Sequence, residues 1–330
     1  MPDLSTRYMG LQLKNPLIAG SSGLTAHIDT ITELANAGVS AVVLKSVFEE
    51  DLVCPNDKFK NPVSLLSAYP KSTDSNVPRI KRIGIDKYLS LIDRCKKELD
   101  IPIIASINCV SSYEWMSFAR KIEASGADGL ELNFFVPPAD PLRSSEDNEK
   151  VYFDVLTELM RNVKLPLAIK ISPYFAGMTK MALKLSWTGI AGMVLFNRYF
   201  VPDIDIEKLS VVPGPRYSHP DEIYQSLRWT ALLSDRVMCD IAGATGIHNS
   251  EGLVKMMLAG ARAVQVTSAF YTHGTAYPAV MLQGLEDWMQ RHDFEDVRSF
   301  NGKLSLKKAE NPADYERFQY LRNFSGAEND

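Results

Sequence analysis

Eight short apolar runs, separated by stretches of helical periodicity, constrain this chain more than any other feature. They are "PLIAG" from Pro16, "AVVLKS" from Ala41, "IPIIASIN" from Ile101, "GLELN" from Gly129, "LPLAIKI" from Leu165, "AGMVLFN" from Ala191, "VMCDIAG" from Val237 and "AVQVTS" from Ala263. Each is apolar through most of its length, the pattern of strands covered on both faces in a parallel sheet. Amphipathic helices are predicted between and after them, over 27–37, 86–99, 112–125, 149–163, 178–187, 220–234, 250–259 and 276–291, so the chain reads as repeated βα units. The units alternate in how a strand begins. Gly38, Gly126, Gly189 and Gly260 sit where a helix ends before an even strand, a position that favours a left-handed backbone. "LDIPIIASI" and "VKLPLAIKI" instead place a proline at the strand start, where a missing N–H is tolerated. That alternation favours a single-domain (β/α)8 TIM barrel over an open doubly wound sheet.

Two connections break the spacing, over 48–85 and 197–219. Both follow strands, the second and the sixth, and both belong on the face where barrel active sites lie. The expected organisation is a barrel over 1–304 and an extension over 305–330, with a helix around 313–323 that packs on the barrel or on a partner.

The 330 residues are 45% hydrophobic and carry a net charge of −4 with lysine and arginine scattered, which argues against nucleic acid and membrane surfaces as partners. No apolar run approaches a membrane span and the polar start "MPDLSTRY" is unlike a signal peptide, so a cytoplasmic protein is expected. Cys54, Cys95, Cys109 and Cys239 are far apart, and the five histidines show no ligand spacing, so neither disulfides nor a metal site is expected.

The carboxyl ends of the strands carry the chemistry. Ser21, Lys45, Asn108, Asn133, Lys170, Asn197 and the Thr267–Ser268 pair are all expected at one mouth, where polar groups on buried strands call for a ligand. Cationic and amide donors without acids suit an anionic or heavily hydrogen-bonding molecule. Gly243 and Gly246 in "DIAGATGI", with Thr267 and Ser268, have the composition of a phosphate cradle, as in many barrels with and without flavin.

These segments resemble the FMN-dependent dihydroorotate dehydrogenases, particularly the soluble class 1 branch, from "NPLIAGSSGL" at Asn15 to "FNGKL" at Leu304. The resemblance is most specific in "NPLIAGSSG", "LKS", "ELN", "IKISPYF", "LFN", "GATGI" and "VQVTSA". It implies FMN across the mouth of the barrel, with its phosphate on strands seven and eight and a pyrimidine stacked on the ring. By position, Lys45 resembles the family lysine near ring and substrate, Lys170 the lysine at the flavin N1–O2 edge, and Asn133 and Asn197 the asparagines that hold the pyrimidine and line the flavin. Gly20, Ser21 and Ser22 lie over the family's Ala-Ser-Gly, and Asn108, Gly243, Gly246, Thr267 and Ser268 complete the flavin side. Lys45, Asn133, Asn197 and Arg198 are the residues assigned to the substrate side.

The departures lie on that side. The family reads approximately E-L-N-L-S-C-P-N at strand four, with the cysteine, or a serine in class 2, as proton acceptor. Here "ELNFFVPP" places Val136 at that position and Pro138 where the family has a substrate asparagine. Arg198 follows Asn197 where the family has serine or threonine; it is read either as a clamp for a substrate carboxylate or as the partner of Asp203 or Asp205. Asn76 is the nearest counterpart of the family's substrate loop. Cys109, Tyr174, Tyr199, Tyr217 and His219 are candidate substitutes for the base, each with a packing role as the alternative, and Phe134, Phe135 and Val136 are expected to form a drier pocket wall. Loss of a general base costs about 10²- to 10⁴-fold in rate, which counts against dihydroorotate oxidation by the family's standard route. The expectation is an FMN oxidoreductase acting on a small planar or carboxylated substrate, as a homodimer. A non-catalytic flavin-binding relative and a flavin-free phosphate-binding barrel remain the alternatives.

Overall fold

The computed structural model describes residues 1–48, 84–108, 112–134, 136, 138–199 and 201–316, with the backbone alone for 112–115. The chain opens with a hairpin, β1 (Thr6–Tyr8) and β2 (Leu11–Leu13), followed by β3 (Leu17–Ala19), α1 (Ile28–Asn36), β4 (Ala41–Val43) and its short continuation β5 (Val47–Phe48). Next come α2 (Ile85–Glu98), β6 (Ile103–Asn108), α3 (Ser112–Ala124), β7 (Gly129–Asn133), α4 (Ser145–Asn162), β8 (Leu167–Ile171), α5 (Met178–Ser186) and β9 (Gly192–Leu195). The hairpin β10 (Pro202–Asp205) and β11 (Ser210–Pro213) precedes α6 (Ile223–Leu233), β12 (Asp240–Ala244), α7 (Ser250–Ala259), β13 (Ala263–Val266), α8 (Ser268–His273) and α9 (Tyr277–Arg291).

Eight parallel strands close on themselves in the order β3, β4, β6, β7, β8, β9, β12, β13, and β13 returns to β3 through Val264↔Leu17. Spatial order follows chain order, as expected of a (β/α)8 barrel. Gly38, Gly126, Gly189 and Gly260 all have positive φ, between 84° and 108°, so each ends its helix in the conformation that the repeat requires.

Strand period separates two apolar layers. Residues such as Leu130, Leu132, Ile169 and Ile171 join Phe134, Tyr152 and Val155 in the layer between barrel and helices. Ile18, Ala41, Val43, Ile104, Ala168, Val194, Ala242 and Ala263 face the interior and meet Tyr8, Met9 and Leu13 from the first hairpin. That hairpin plugs the amino end of the barrel. Gly129 and Gly192 make room for it, because a Cβ at Gly192 would lie 2.8 Å from both the Met9 Cγ and the Tyr8 hydroxyl. The sequence reading did not anticipate it, since three-residue strands carry too little period to register.

The expected helix over 149–163 begins earlier, at Ser145. Ser144 caps it by accepting the Asp147 N–H, and the Asp147 carboxylate accepts the Ser144 N–H in return. The expected helix at 220 starts as one 3-10 turn, Pro220–Glu222, before α6. Beyond Leu304 the chain stays on the barrel: Ser305 and Leu306 are buried, and the Leu306 N–H donates to the Ala231 carbonyl. A 3-10 turn at Pro312–Tyr315 follows, its Tyr315 hydroxyl on the Leu304 carbonyl. Most of the helix expected over 313–323, most of the loop over 48–85 with Cys54 and Asn76, and Cys109 and Phe135 lie outside the described residues. Within the described residues, no helix is long and apolar enough to cross a membrane, and no group of three or more His, Cys, Asp or Glu side chains could hold a metal ion.

Candidate active site

Inward-facing residues change character along each strand. At the amino end they are Ile104, Ala168 and Ala263; nearer the carboxyl end the same parity gives Ser106, Glu131, Asn133, Lys170 and Gln265. The plug below is apolar and the mouth above is polar.

One hydrogen-bonded network spans the mouth from β3 to the end of β9. The Ser21 hydroxyl accepts the Ser46 N–H at 2.9 Å and lies 3.1 Å from the Ser46 hydroxyl, which is 2.7 Å from that of Ser106. Asn133 donates its amide to the Ser46 hydroxyl at 3.4 Å, and Asn197 donates to the Asn133 carbonyl oxygen at 2.5 Å. The Tyr88 hydroxyl, inside the barrel wall, accepts the Ser106 N–H and donates to the Ser106 carbonyl. Ser21, Asn133 and Asn197 are therefore brought together as expected, and Ser46, Ser106 and Tyr88 are additions. The serines were legible as polar residues in "LKS" and "IASIN", but nothing in a serine's chemistry distinguishes a network member from a solvated one.

A second network lies beneath. Lys170 donates to the Gln265 carbonyl oxygen at 2.8 Å, and the Gln265 amide donates to Glu131 at 2.5 Å. The other Glu131 oxygen is 4.0 Å from the lysine ammonium and has no hydrogen-bond partner among the described residues. Glu131 is 1% exposed and Gln265 3%. The expectation of a donor set without acids is thus corrected: a buried carboxylate stands below the lysine. Its signal was present, because "LEL" and "VQV" each place one polar residue at inward parity inside an apolar run.

Lys45 lies two residues beyond inward-facing Val43, its N–H on the Thr25 carbonyl, and it makes no ion pair among the described residues. Asn108 ends β6 opposite Phe48, and no bond among the described residues joins it to the other asparagines. Gly20 packs so closely against Thr267 that a Cβ there would sit 2.6 Å from the threonine hydroxyl. Gly243 has a packing reason of its own, because a Cβ would meet the Met256 sulfur at 2.8 Å on the helix side. Gly246 has φ +78°, and its Cβ would run into the Ile223 backbone nitrogen, so the turn after β12 needs glycine to lie against α6. Thr245 beside it is also left-handed, at φ +73°, with its hydroxyl on the Phe196 carbonyl.

The sixth loop folds over this corner. The Ser268 hydroxyl accepts the Ser218 N–H at 3.0 Å, and the Ser218 hydroxyl is 2.9 Å from the His248 ring. Tyr217 stacks on Tyr271 at 5.2 Å, and the Arg216 guanidinium lies 5.7 and 6.0 Å from the two ring centres. Burial lowers the His248 pKa from its ordinary value, against a hydrogen bond with Ser218 that raises it. Tyr217 therefore sits at the strand seven and eight corner, and exposed His219 faces Asp221 at 3.1 Å.

Arg198 is engaged in the same loop. Its Nε donates to Glu222 at 2.8 Å and its Nη1 to the carbonyls of Pro215 and Arg216, so its partner is Glu222 rather than Asp203 or Asp205. The wall expected from Phe134 and Val136 is also corrected. Phe134 is 2% exposed and stacks on Tyr152 of α4 at 4.5 Å, and Val136, 8% exposed, belongs to the same outer layer. Tyr199 donates to the Phe134 carbonyl at 2.9 Å and stacks on Tyr174 at 6.0 Å. Burial pushes its phenol up to about 12 despite a hydrogen bond with Ser172 that lowers it, so it is protonated at neutral pH and serves as a donor.

Comparison with known proteins agrees with this geometry. The family model for dihydroorotate dehydrogenase matches residues 3–289. A Thermoplasma volcanium protein named dihydroorotate dehydrogenase B (NAD(+)), catalytic subunit, is 28% identical over 313 residues, covering 93% of this chain and all of the relative. Proteins of the same name from Methanocaldococcus jannaschii and Pyrococcus horikoshii are 27% and 26% identical, covering 82% and 92% of this chain and 88% and 98% of their own lengths. The chain belongs to the dihydroorotate dehydrogenase family, a family of FMN-dependent oxidoreductases acting on CH–CH bonds.

Proposed function

We propose that this chain binds FMN across the barrel mouth and transfers a hydride between the flavin and a small planar or carboxylated substrate, by a route that does not use the family's proton acceptor. The observation that carries the reading is the contrast between the two sides of the mouth. The ring side keeps Lys170, Asn133, Asn197 and a ladder of serines in one polar surface, while the position of the base is Val136, buried in the apolar layer outside the barrel.

The donor set fits the cofactor: lysine ammonium and asparagine amides suit the carbonyl and nitrogen acceptors of a flavin ring and the negative charge it gains on reduction. Bound there, FMN supplies the hydride chemistry. Lys45 and Lys170 would neutralise charge on the ring, and Asn133 and Asn197, tied to each other, would orient ring and substrate. Gly20, Ser21 and Asn108 would line the flavin. The corner of Gly243, Gly246, Thr267 and Ser268 would receive the phosphate, with Arg216 close enough on its loop to add a cation. Arg198 braces the sixth loop through Glu222 and, in this reading, acts on substrate only by placing that loop. The hairpin of β10 and β11 exposes Ile204, Ile206, Leu209 and Val211, and a second copy covering it would account for those side chains and make the protein a homodimer.

Titration of flavin-free protein with FMN, followed by an anaerobic screen of dihydropyrimidines and small unsaturated carboxylates, tests the proposal. Saturable binding and bleaching of the flavin band by at least one compound are expected. Absence of saturable binding refutes it, and binding without reduction by any metabolite favours a non-catalytic flavin-binding relative.

A further inference from the structure

The geometry assigns Glu131 and Gln265 as positioning residues that hold the Lys170 ammonium in place in the mouth and, with FMN bound there, would set how strongly its charge favours reduction. This rests on the flavin reading above. Gln265 belongs to β13, four strands from β7 in either direction around the ring, so it reaches across the barrel to Glu131. Lysine only donates and a carboxylate only accepts, so an amide between them has one workable orientation, carbonyl to Lys170 and NH₂ to Glu131. Register places Lys170 beside Asn133 and Glu131 beside Ala168, so the lysine leaves its strand one inward position nearer the carboxyl end than the glutamate does.

The Glu131 oxygen that accepts no hydrogen bond among the described residues gives the arrangement its direction. It is shielded from solvent and only 4.0 Å from the ammonium, an acceptor onto which the lysine would fall without a spacer. Gln265 occupies the ammonium at 2.8 Å and spends its own NH₂ on the other carboxylate oxygen. Lysine is thereby kept near the mouth, with its charge partly compensated from below.

Two near-isosteric substitutions move the flavin in opposite directions. Glu131→Gln removes the compensating charge, so the protein should favour reduced over oxidised FMN at least tenfold more than the parent, an upward shift of about 30 mV for a two-electron couple. Gln265→Met keeps volume but removes the spacer, drawing the ammonium down, so the midpoint potential should fall by a similar amount. The experiment is an anaerobic redox titration of the FMN-loaded full chain, with circular dichroism to establish folding. Opposite shifts in folded, flavin-loaded variants are expected, and if one variant does not fold, the sign of the other decides. An unchanged potential, or shifts of the same sign, overturns the assignment. So does failure of both variants to take up FMN when the parent does, since the triad would then be a requirement of binding. A parent protein that takes up no FMN would instead sink the flavin reading itself.

Discussion

Installing the family's thiol by Val136→Cys should restore only a small part of the dihydroorotate turnover that a well-placed base would give. Val136 is 8% exposed and shares its apolar layer with Phe134, Tyr152 and Val155. Cys95, buried in that same layer, shows what the environment does to a thiol: burial pushes it up to about 11. At pH 7.5 such a thiol is ionised in about one molecule in 3,000, against about one in ten for an exposed cysteine. A well-placed base is worth about 10²- to 10⁴-fold, and a roughly 300-fold smaller ionised fraction removes most of that. The net gain expected is at most about 30-fold at the top of that range, with a stability change within about 1.5 kcal/mol because volume is nearly conserved. Anaerobic stopped-flow reduction of the FMN-loaded variant by dihydroorotate measures the rate, and titration with a disulfide reagent measures whether the added thiol is reachable. A gain of 10²-fold or more at pH 7.5, with a reactive thiol, would place residue 136 in the mouth and refute the reasoning.

Lys170→Met should cost about 3–5 kcal/mol in urea unfolding by leaving Glu131 buried without its cation, and adding Glu131→Gln should restore most of it. An equally unstable double variant would show that the two side chains are not coupled. Gly246→Ala should cost more than Gly126→Ala although both glycines have φ near +80°, because a Cβ at Gly126 meets open space and one at Gly246 meets the Ile223 backbone. The first should lose about 3 kcal/mol or fail to fold and the second about 1–2 kcal/mol, and similar losses would remove the steric argument. Burial depresses the His248 pKa, so its contribution to stability is complete above the unfolded value near about 6.5 and is lost as pH falls through the folded value. The urea midpoint should therefore decline as pH is lowered below that point, and His248→Gln should flatten the decline. Asp240, raised by burial, acts with opposite sign further into acid, so the comparison belongs between the two variants at each pH.

The barrel was legible because its signals are periodic and local. A glycine four times at the end of a helix, and apolar runs ending in one polar residue, follow from backbone conformation and two-sided burial, which any (β/α)8 chain must satisfy. The first hairpin was not legible, since six strand residues around Met9 and Gly10 make sense only against the barrel end that they fill. Polar residues at the carboxyl ends of the strands supplied Asn133, Lys170 and Asn197, the first two at inward parity. The same parity points to Glu131 and Gln265, which a search for donors at strand ends alone passes over one layer too high. Arg198 shows the limit of local reading: its partner, Glu222, lies 24 residues away, beyond a hairpin that sequence spacing does not reveal. Val136 is the wrong residue for a base, and only the packing of Phe134 on Tyr152 and the burial of Val136 in the same apolar cluster show that these two side chains belong to the layer outside the barrel as well.

The most direct test is rapid anaerobic mixing of the FMN-loaded protein with dihydroorotate, following the flavin absorbance from pH 6 to 10. The account predicts that the protein retains stoichiometric FMN, which dithionite bleaches, and that reduction by dihydroorotate is slow and shows no ionisation of a thiol or serine base. Fast bleaching governed by a single ionising base, or a protein that retains no FMN, would contradict it.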